Sequence, residues 1–268
     1  MTSDMQVRRL AGSLGAAVTG IDLTDLGPEN VATIESAIIE YGIVAFPGQQ
    51  LDDDQHRRLT EALGGVRPPV EYLPTNADAG HPDIAVLDSR GGIRADIWHT
   101  DVSWSPTPPS LSILRSLIVP TAGGDTMWAN QYAAYDVLSE AMKDFLSGLT
   151  AFHSGQKLPL EGGTIQGGRE GWDATHPVIR THPVTGRRAL YVNETFTRRI
   201  NELESAESDA LLSFLFGQAT RTELTCRWSW GIGDLVIWDN RCVQHYGVYD
   251  YEEHRLMHRT EVVGDAPV

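Results

Sequence analysis

Three short apolar runs near the C-terminus decide the fold: CRWSW (226–230), DLVIWD (234–239) and HRLMHRTEVV (254–263). Each run is rich in aromatic, aliphatic or β-branched residues, which predicts strands rather than helices. Runs of the same character occur earlier, at 42–48 (GIVAFPG), 83–88 (DIAVLD), 110–119 (SLSILRSLIV) and 124–130 (GDTMWAN). A hairpin is predicted over 175–193, with its turn at Val184-Thr185-Gly186. The pattern therefore predicts a protein built from many short strands.

Helical spacing is confined to a few segments. Apolar residues three and four apart predict helices over 29–41, 51–64, 131–149 and 205–218. These helices do not alternate regularly with the strands, as they would in a parallel α/β sheet. The predicted fold class is mainly β with flanking helices (α+β), around a double-stranded β-helix (jelly-roll, cupin-like) core.

The composition limits the classes of partner. The 268-residue chain carries 21 Lys and Arg against 36 Asp and Glu, a formal net charge of −15. An acidic protein lacks the basic face that attracts nucleic acid or an anionic membrane, so neither is an expected partner. The two cysteines, Cys226 and Cys242, form no disulfide framework. No apolar run resembles a signal peptide or approaches the roughly 20 residues of a membrane span, so a cytoplasmic location is expected.

Residues 1–268 are expected to form a single domain, because one β-barrel or sandwich commonly reaches about 200–250 residues. The stretch KLPLEGGTIQGGREGW (157–172) is rich in glycine and weakly patterned. Loops of this kind often cover binding sites, which predicts a mobile lid around 155–175.

A candidate metal site begins in WHTDVSW (98–104), where His99 and Asp101 are two residues apart. On a strand, two such side chains point to the same side and can reach one ion. The pair alone is weak, because two polar residues near the end of a strand arise often by chance. His245, which follows the apolar strand DLVIW, is the natural third ligand. Two histidines and one carboxylate leave coordination positions open, as in non-haem Fe(II) oxygenases.

Two arginines follow this histidine in HRLMHR (254–259). If the segment is a strand, Arg255, Met257 and Arg259 share one face. Buried guanidinium groups are costly unless each meets an anion, and carboxylates or sulfonates accept two parallel hydrogen bonds from them. Taken alone, a solvated strand face or internal salt bridges would explain the pattern. The position just after His245 favours binding of anionic ligands.

Six motifs together resemble the taurine dioxygenase (TauD/TfdA) family of Fe(II)/2-oxoglutarate-dependent dioxygenases, in family order from about Leu10 to the C-terminus. They are WHTDVSW (98–104), GGDTMWAN (123–130), HPVIRTHPVTG (176–186), NETFTRRI (193–200), WDNRCVQHY (238–246) and HRLMHR (254–259).

The resemblance implies a role for each matching residue. His99, Asp101 and His245 would be the catalytic set that holds Fe(II). Arg255 would bind the distal carboxylate of 2-oxoglutarate, and Thr126 would add a hydroxyl hydrogen bond to it. O2 would be the second cosubstrate. Members of the family often form homo-oligomers, so the resemblance also implies that this protein could form one.

The resemblance also implies a small anionic substrate, with Arg259 binding its sulfonate or sulfate and Phe196 packing against its carbon chain. Hydroxylation next to the anionic group would release sulfite from taurine or a related alkyl sulfonate, which makes taurine catabolism the expected role. Taurine-specific members carry a histidine and an asparagine where this chain has Pro68 and Ala95. An alkyl sulfate ester or an aryloxyalkanoate therefore stays open as the substrate.

Two other classes of protein use a similar metal-binding set. One is a cupin-like protein that binds a metal without catalysis, and the other is a zinc-dependent hydrolase. Neither class needs Arg255 and Thr126 as a clamp for 2-oxoglutarate, so the oxygenase is the expected function.

Overall fold

A large mixed sheet frames the molecule, and the computed structural model describes residues 5–91, 94–156, 159–160, 163–164 and 172–268. The sheet has the strand order β1-β2-β3-β17-β7-β19-β6-β5, with β4 also paired to β19. Its strands are β1 (Gln6–Arg9), β2 (Ala16–Thr19), β3 (Ile43–Phe46), β4 (Val66–Arg67), β5 (Thr75–Asn76), β6 (His81–Asp88), β7 (Leu111–Ile118), β17 (Leu235–Asp239) and β19 (Leu256–Val262). The β2–β3 pair is parallel and the other pairs are antiparallel.

A smaller sheet of order β16-β8-β18 lies across from it, and further strands pair beside these two sheets. The small sheet contains β8 (Thr126–Asn130), β16 (Thr225–Trp228) and β18 (Val243–Gly247). A second three-stranded sheet contains β9 (Thr150–Ser154), β12 (Asp173–Pro177) and β15 (Thr197–Ile200). Two strand pairs are β10 (Pro159–Leu160) with β11 (Gly163–Thr164), and β13 (Ile179–Thr181) with β14 (Arg188–Leu190).

The core lies between the large sheet and the small one. Val236 and Trp238 of β17 and Met257 of β19 pack in one buried cluster with Trp128 of β8. The Trp128 and Trp238 rings lie 5.8 Å apart between centroids. Strand side chains alternate between the two faces of a sheet, so the residues between these positions face the other way.

The opposite face of the large sheet is covered by helices. Leu235 and Ile237 of β17 belong to a second buried cluster that includes Ile34, Ile38 and Leu59, which lie on the first two helices. Because both of its faces are buried, β17 is apolar along its whole length rather than alternating. This explains the unbroken run LVIW in the sequence.

The flanking helices are α1 (Pro28–Tyr41), α2 (Asp53–Ala62), α3 (Gln131–Asp136), α4 (Glu140–Leu146) and α5 (Ser205–Ala219). The single helix predicted over 131–149 is wrong, because the segment is two helices. α3 ends at Asp136, and the Ser139 hydroxyl accepts a hydrogen bond from the Met142 amide, which caps the start of α4. In the described ranges, no helix has both the length and the apolarity needed to cross a membrane.

The prediction of a mainly β fold with flanking helices and a jelly-roll core is confirmed. From β16 onward the chain changes sheet at every strand, so β17 and β19 lie in the large sheet while β16 and β18 lie in the small one. The central part of the predicted lid around 155–175 lies outside the described residues. That lid and the single-domain division over 1–268 stay predictions.

The central position of β17 leads to a stability prediction. Ile237 is fully buried and is paired with Val44 on one side and Ile113 on the other. Ile237→Ala should lower the free energy of unfolding by about 2–5 kcal/mol, because a cavity replaces packed side-chain atoms. The matched control is Ile232→Ala, at a side chain that is 66% exposed, which should change stability by less than about 0.5 kcal/mol. Equal midpoints of the two variants in equilibrium urea unfolding would contradict this account of the core.

Candidate active site

A pair of backbone hydrogen bonds brings the two predicted histidine ligands together. The His99 amide donates to the His245 carbonyl at 3.0 Å, and the His245 amide donates to the His99 carbonyl at 2.8 Å. The two residues thus form an antiparallel bridge, and their ring centroids lie 4.0 Å apart. Both side chains are buried.

Asp101 completes this group, but not in the conformation that the sequence predicts. Its carboxylate oxygens lie 3.9 Å from His99 Nε2 and 3.7 Å from His245 Nε2, and one ligand atom from each residue falls within 4.8 Å of the others. The expected strand is wrong, because Asp101 begins a turn after the single bridge at His99. The next residue, Val102, has a φ of 50°, which is strained for a β-branched side chain. The turn, rather than strand alternation, directs the carboxylate toward the histidines.

Two donors fix the Asp101 carboxylate from behind. The Ser112 hydroxyl donates to Oδ2 at 2.7 Å, and Arg259 Nη1 donates to Oδ1 at 2.9 Å. Ser112 in turn accepts a hydrogen bond from the Asn240 side chain at 2.8 Å. Burial opposes ionisation of Asp101, but the Arg259 guanidinium and the nearby histidines outweigh it and hold its pKa well below the ordinary value. The carboxyl group is therefore ionised at neutral pH.

Both histidines are neutral at the same pH. Burial lowers the pKa of His99 and lowers that of His245 to about 3, because the interior disfavours the charged ring. His99 Nδ1 lies 2.7 Å from the Ile97 carbonyl, so this nitrogen carries the proton and Nε2 keeps a free lone pair. Two neutral imidazoles and one buried carboxylate suit a divalent transition metal, so the residues present fit such an ion.

The residues predicted to bind 2-oxoglutarate lie close to one another. Arg255 precedes β19, and its Nε donates to the Gly124 carbonyl at 3.0 Å. Thr126 begins β8 and accepts a hydrogen bond from Trp230 Nε1 at 3.0 Å. The Arg255 guanidinium lies 6.0 Å from the centre of the Trp230 ring. Burial lowers the pKa of Arg255, although an arginine so placed is still charged at neutral pH.

Arg259 has different partners from those of Arg255. Besides its bond to Asp101, its Nη2 lies 2.9 Å from Glu261 Oε1, and Glu261 is paired at 3.0 Å with Arg67. Internal salt bridges are thus part of the explanation for this arginine. Within the described ranges its Nε has no hydrogen-bond partner, although it is buried. Both terminal nitrogens of Arg259 are thus paired with carboxylates, and its Nε is enclosed without a partner among the described residues.

A cavity opens in front of these groups. Its walls include His99, Asp101, Arg255 and Arg259, together with the predicted substrate contact Phe196. Other wall residues are Tyr72, Leu73, Leu87, Ala95 and Val102.

Phe196 lies on the His99 side of this cavity. Its ring lies edge-on to His99 at 6.2 Å, and its amide donates to the Asn193 side chain at 2.9 Å. Phe196 also packs in a buried apolar cluster with Leu73 and Val102. The cavity therefore combines a charged end with an apolar wall.

Several residues of the site were missed at the level of sequence. Glu261 lies two residues after Arg259 on the same face of β19, so strand alternation could have indicated it. Ser112 could likewise have been found as an inward position of β7. The contact of Trp230 with Thr126 joins segments about a hundred residues apart, and no local pattern indicates it.

The fold and site together define a class of protein. A jelly-roll core carrying a buried set of two histidines and one carboxylate is typical of non-haem metal oxygenases. The chain belongs to the taurine catabolism dioxygenase TauD, TfdA family, whose model matches residues 6–260. The protein is a 2-oxoglutarate-dependent dioxygenase, and the family implies a metal at the His-Asp-His group.

Curated relatives and solved structures cover nearly the whole chain. An alkylsulfatase of Acinetobacter baylyi is 38% identical, over 98% of this chain and 86% of the relative. An alpha-ketoglutarate-dependent sulfate ester dioxygenase of Pseudomonas putida is 37% identical, over 99% of this chain and 91% of the relative. A crystal structure of a taurine dioxygenase from Burkholderia xenovorans superposes with a TM-score of 0.86 at 34% identity, covering 98% and 91% of the two chains.

The buried histidines lead to a pH prediction for the metal-free protein. His245 has a folded-state pKa of about 3, against 6.5 for the exposed side chain. Between these values the unfolded chain binds more protons, so the free energy of unfolding should fall as the pH drops below about 6.5. In His245→Gln, the loss between pH 6.5 and about 4.5 should be smaller by about 2 kcal/mol. Urea unfolding at each pH with a chelator present measures this, and identical pH slopes in the two proteins would contradict it.

Proposed function

We propose that the protein uses Fe(II), 2-oxoglutarate and O2 to hydroxylate the carbon next to the anionic group of a small sulfate ester or sulfonate with an apolar chain. The observation that carries this proposal is the cavity, where Arg255, Arg259 and an apolar wall meet beside the His-Asp-His group. The names of the relatives, which include a sulfate ester dioxygenase and a taurine dioxygenase, support the same substrate class.

In this proposal His99, Asp101 and His245 hold Fe(II). When bound, the metal supplies the redox chemistry with O2 that no side chain can provide. Ser112 and Arg259 keep the carboxylate from rotating, because each occupies one of its oxygens. The two histidines present neutral nitrogens at physiological pH, so no proton has to leave before a metal binds.

Arg255 and Thr126 bind the distal carboxylate of 2-oxoglutarate. The guanidinium is anchored through Nε to the Gly124 carbonyl, and its planar terminal nitrogens suit a carboxylate. The Thr126 hydroxyl already accepts the indole hydrogen of Trp230, so its own hydrogen can be donated. A dicarboxylate held at its far end presents its keto acid end toward the metal-binding group.

Arg259 binds the sulfate or sulfonate of the substrate, and Phe196 packs against its chain. Anchoring the anion fixes which C–H bond faces the metal, which is the carbon beside the anionic group. One oxygen atom of O2 enters that bond, and the other enters succinate as CO2 leaves 2-oxoglutarate. A sulfate ester hydroxylated at this carbon breaks down to an aldehyde and sulfate, and a sulfonate gives an aldehyde and sulfite.

The wall beside Phe196 favours an alkyl chain over the ammonium group of taurine. Leu73, Leu87 and Val102 line the cavity there and offer no hydrogen-bond acceptor in their side chains. Ala95 also lines the cavity and, like Pro68, supplies no polar side-chain contact for an amine. An unpaired ammonium group at an apolar wall would lose its hydration without compensation.

The metal assignment predicts the effect of one substitution. Asp101→Asn removes the anionic ligand while keeping the shape of the side chain. Turnover should be abolished, and the affinity for Mn(II), measured by equilibrium dialysis, should fall by more than the roughly 10–100-fold that loss of an outer partner costs. The matched control is Asp88→Asn, at a cavity carboxylate paired with His254. Unchanged Mn(II) binding in Asp101→Asn would refute the ligand assignment.

The substrate class predicts a ranking. Hexyl sulfate should have an apparent KM at least about tenfold below that of taurine, because each buried methylene contributes about 0.8 kcal/mol. O2 uptake and release of sulfate or sulfite measure this, with hexanesulfonate to compare the two anions. Neutral 1-hexanol is the control for the arginine anchor and should not be turned over. A taurine KM below that of both six-carbon anions would rule out the apolar chain as the determinant.

A further inference from the structure

Trp230 lies between the two residues assigned to the distal carboxylate of 2-oxoglutarate. Its indole N–H donates to the Thr126 hydroxyl at 3.0 Å, and its ring faces the Arg255 guanidinium at 6.0 Å from the ring centre. The side chain is buried in the core between the two sheets. A single side chain thus contacts both parts of the clamp.

The chemistry of these two groups fixes the direction of the hydrogen bonds. An indole N–H can only donate, so the Thr126 oxygen must accept. A threonine hydroxyl has one hydrogen of its own, and in the part of the chain that the structure describes this hydrogen meets no protein acceptor. Trp230 therefore occupies one lone pair of the Thr126 oxygen. The O–H of Thr126 is left to donate to a ligand.

The segment that carries Trp230 is held on both sides. The Ser229 hydroxyl donates to Asp125 at 2.8 Å, directly before Thr126 in the chain. On the other side, the Gly231 amide donates to Asp234 at 2.7 Å, and its carbonyl accepts from the Ser116 hydroxyl at 2.6 Å. These bonds hold the chain on both sides of Trp230, which keeps its indole beside Thr126.

We propose that Trp230 is a positioning residue for 2-oxoglutarate, acting through the Thr126 hydroxyl. By holding one lone pair of that oxygen, it aims the hydroxyl hydrogen at the distal carboxylate and selects an anion at this end of the cosubstrate. The inference rests on the proposed role of Thr126 and Arg255, and it adds the residue that orients them.

The experiment is a double-mutant cycle on Trp230 and Thr126. Trp230→Phe keeps a ring under Arg255 but removes the N–H, and Thr126→Val keeps the branched shape but removes the hydroxyl. The dissociation constant of 2-oxoglutarate for the Mn(II)-loaded protein is measured by calorimetry, and the apparent KM of hexyl sulfate by O2 uptake. Each single variant should bind 2-oxoglutarate about five- to tenfold more weakly, as expected for one lost hydrogen bond. The double variant should bind no more weakly than Thr126→Val, and the KM of hexyl sulfate should change by less than about twofold.

The matched control is Trp228→Phe, on the same segment. Its indole N–H donates to Asp234 at 3.1 Å rather than to Thr126, so 2-oxoglutarate binding should stay unchanged. A Trp230→Phe variant with normal 2-oxoglutarate affinity, beside a weakened Thr126→Val, would overturn the inference and leave the clamp intact. Additive losses in the double variant, or an equal loss in Trp228→Phe, would show that Trp230 acts only through packing. Normal affinity in both Thr126→Val and Arg255→Gln would instead refute the proposed clamp itself.

Discussion

The site depends on two backbone hydrogen bonds that join His99 to His245. They connect a segment between β6 and β7 to β18, more than half the chain away in sequence. Because the bonds are reciprocal, they fix the spacing of the two backbone segments from which the imidazoles extend. His245 is also paired with Trp128 in β8, so the small sheet holds the backbone of this histidine in place. Folding, rather than the binding of an ion, therefore supplies the free energy that orders the two histidines.

The carboxylate of Asp101 is stabilised by a chain of alternating charges. Arg259 bridges it to Glu261, and Glu261 continues the chain to Arg67 nearer the surface. A buried ion costs several kcal/mol unless it is paired, and each member of this chain lowers that cost for its neighbour. Burial raises the pKa of Glu261 even so, which reflects the low polarity around it. The same chain that keeps Asp101 ionised also holds Arg259 at the wall of the cavity.

The two arginines of the cavity illustrate how one sequence pattern leads to two environments. Arg255 is anchored to a backbone carbonyl and faces an indole ring. Arg259 lies between two carboxylates.

The sequence by itself determined the strands, the jelly-roll class and the residue types of the metal-binding group. These follow from local periodicity and from the limited set of side chains that bind a transition metal. It did not determine the turn that directs Asp101, because strand alternation predicted a different backbone there. Nor did it show that Arg259 pairs with Glu261 or that Trp230 donates a hydrogen bond to Thr126. Those contacts join positions that only the packing of the two sheets brings within hydrogen-bonding distance, and no local pattern records a distance in space.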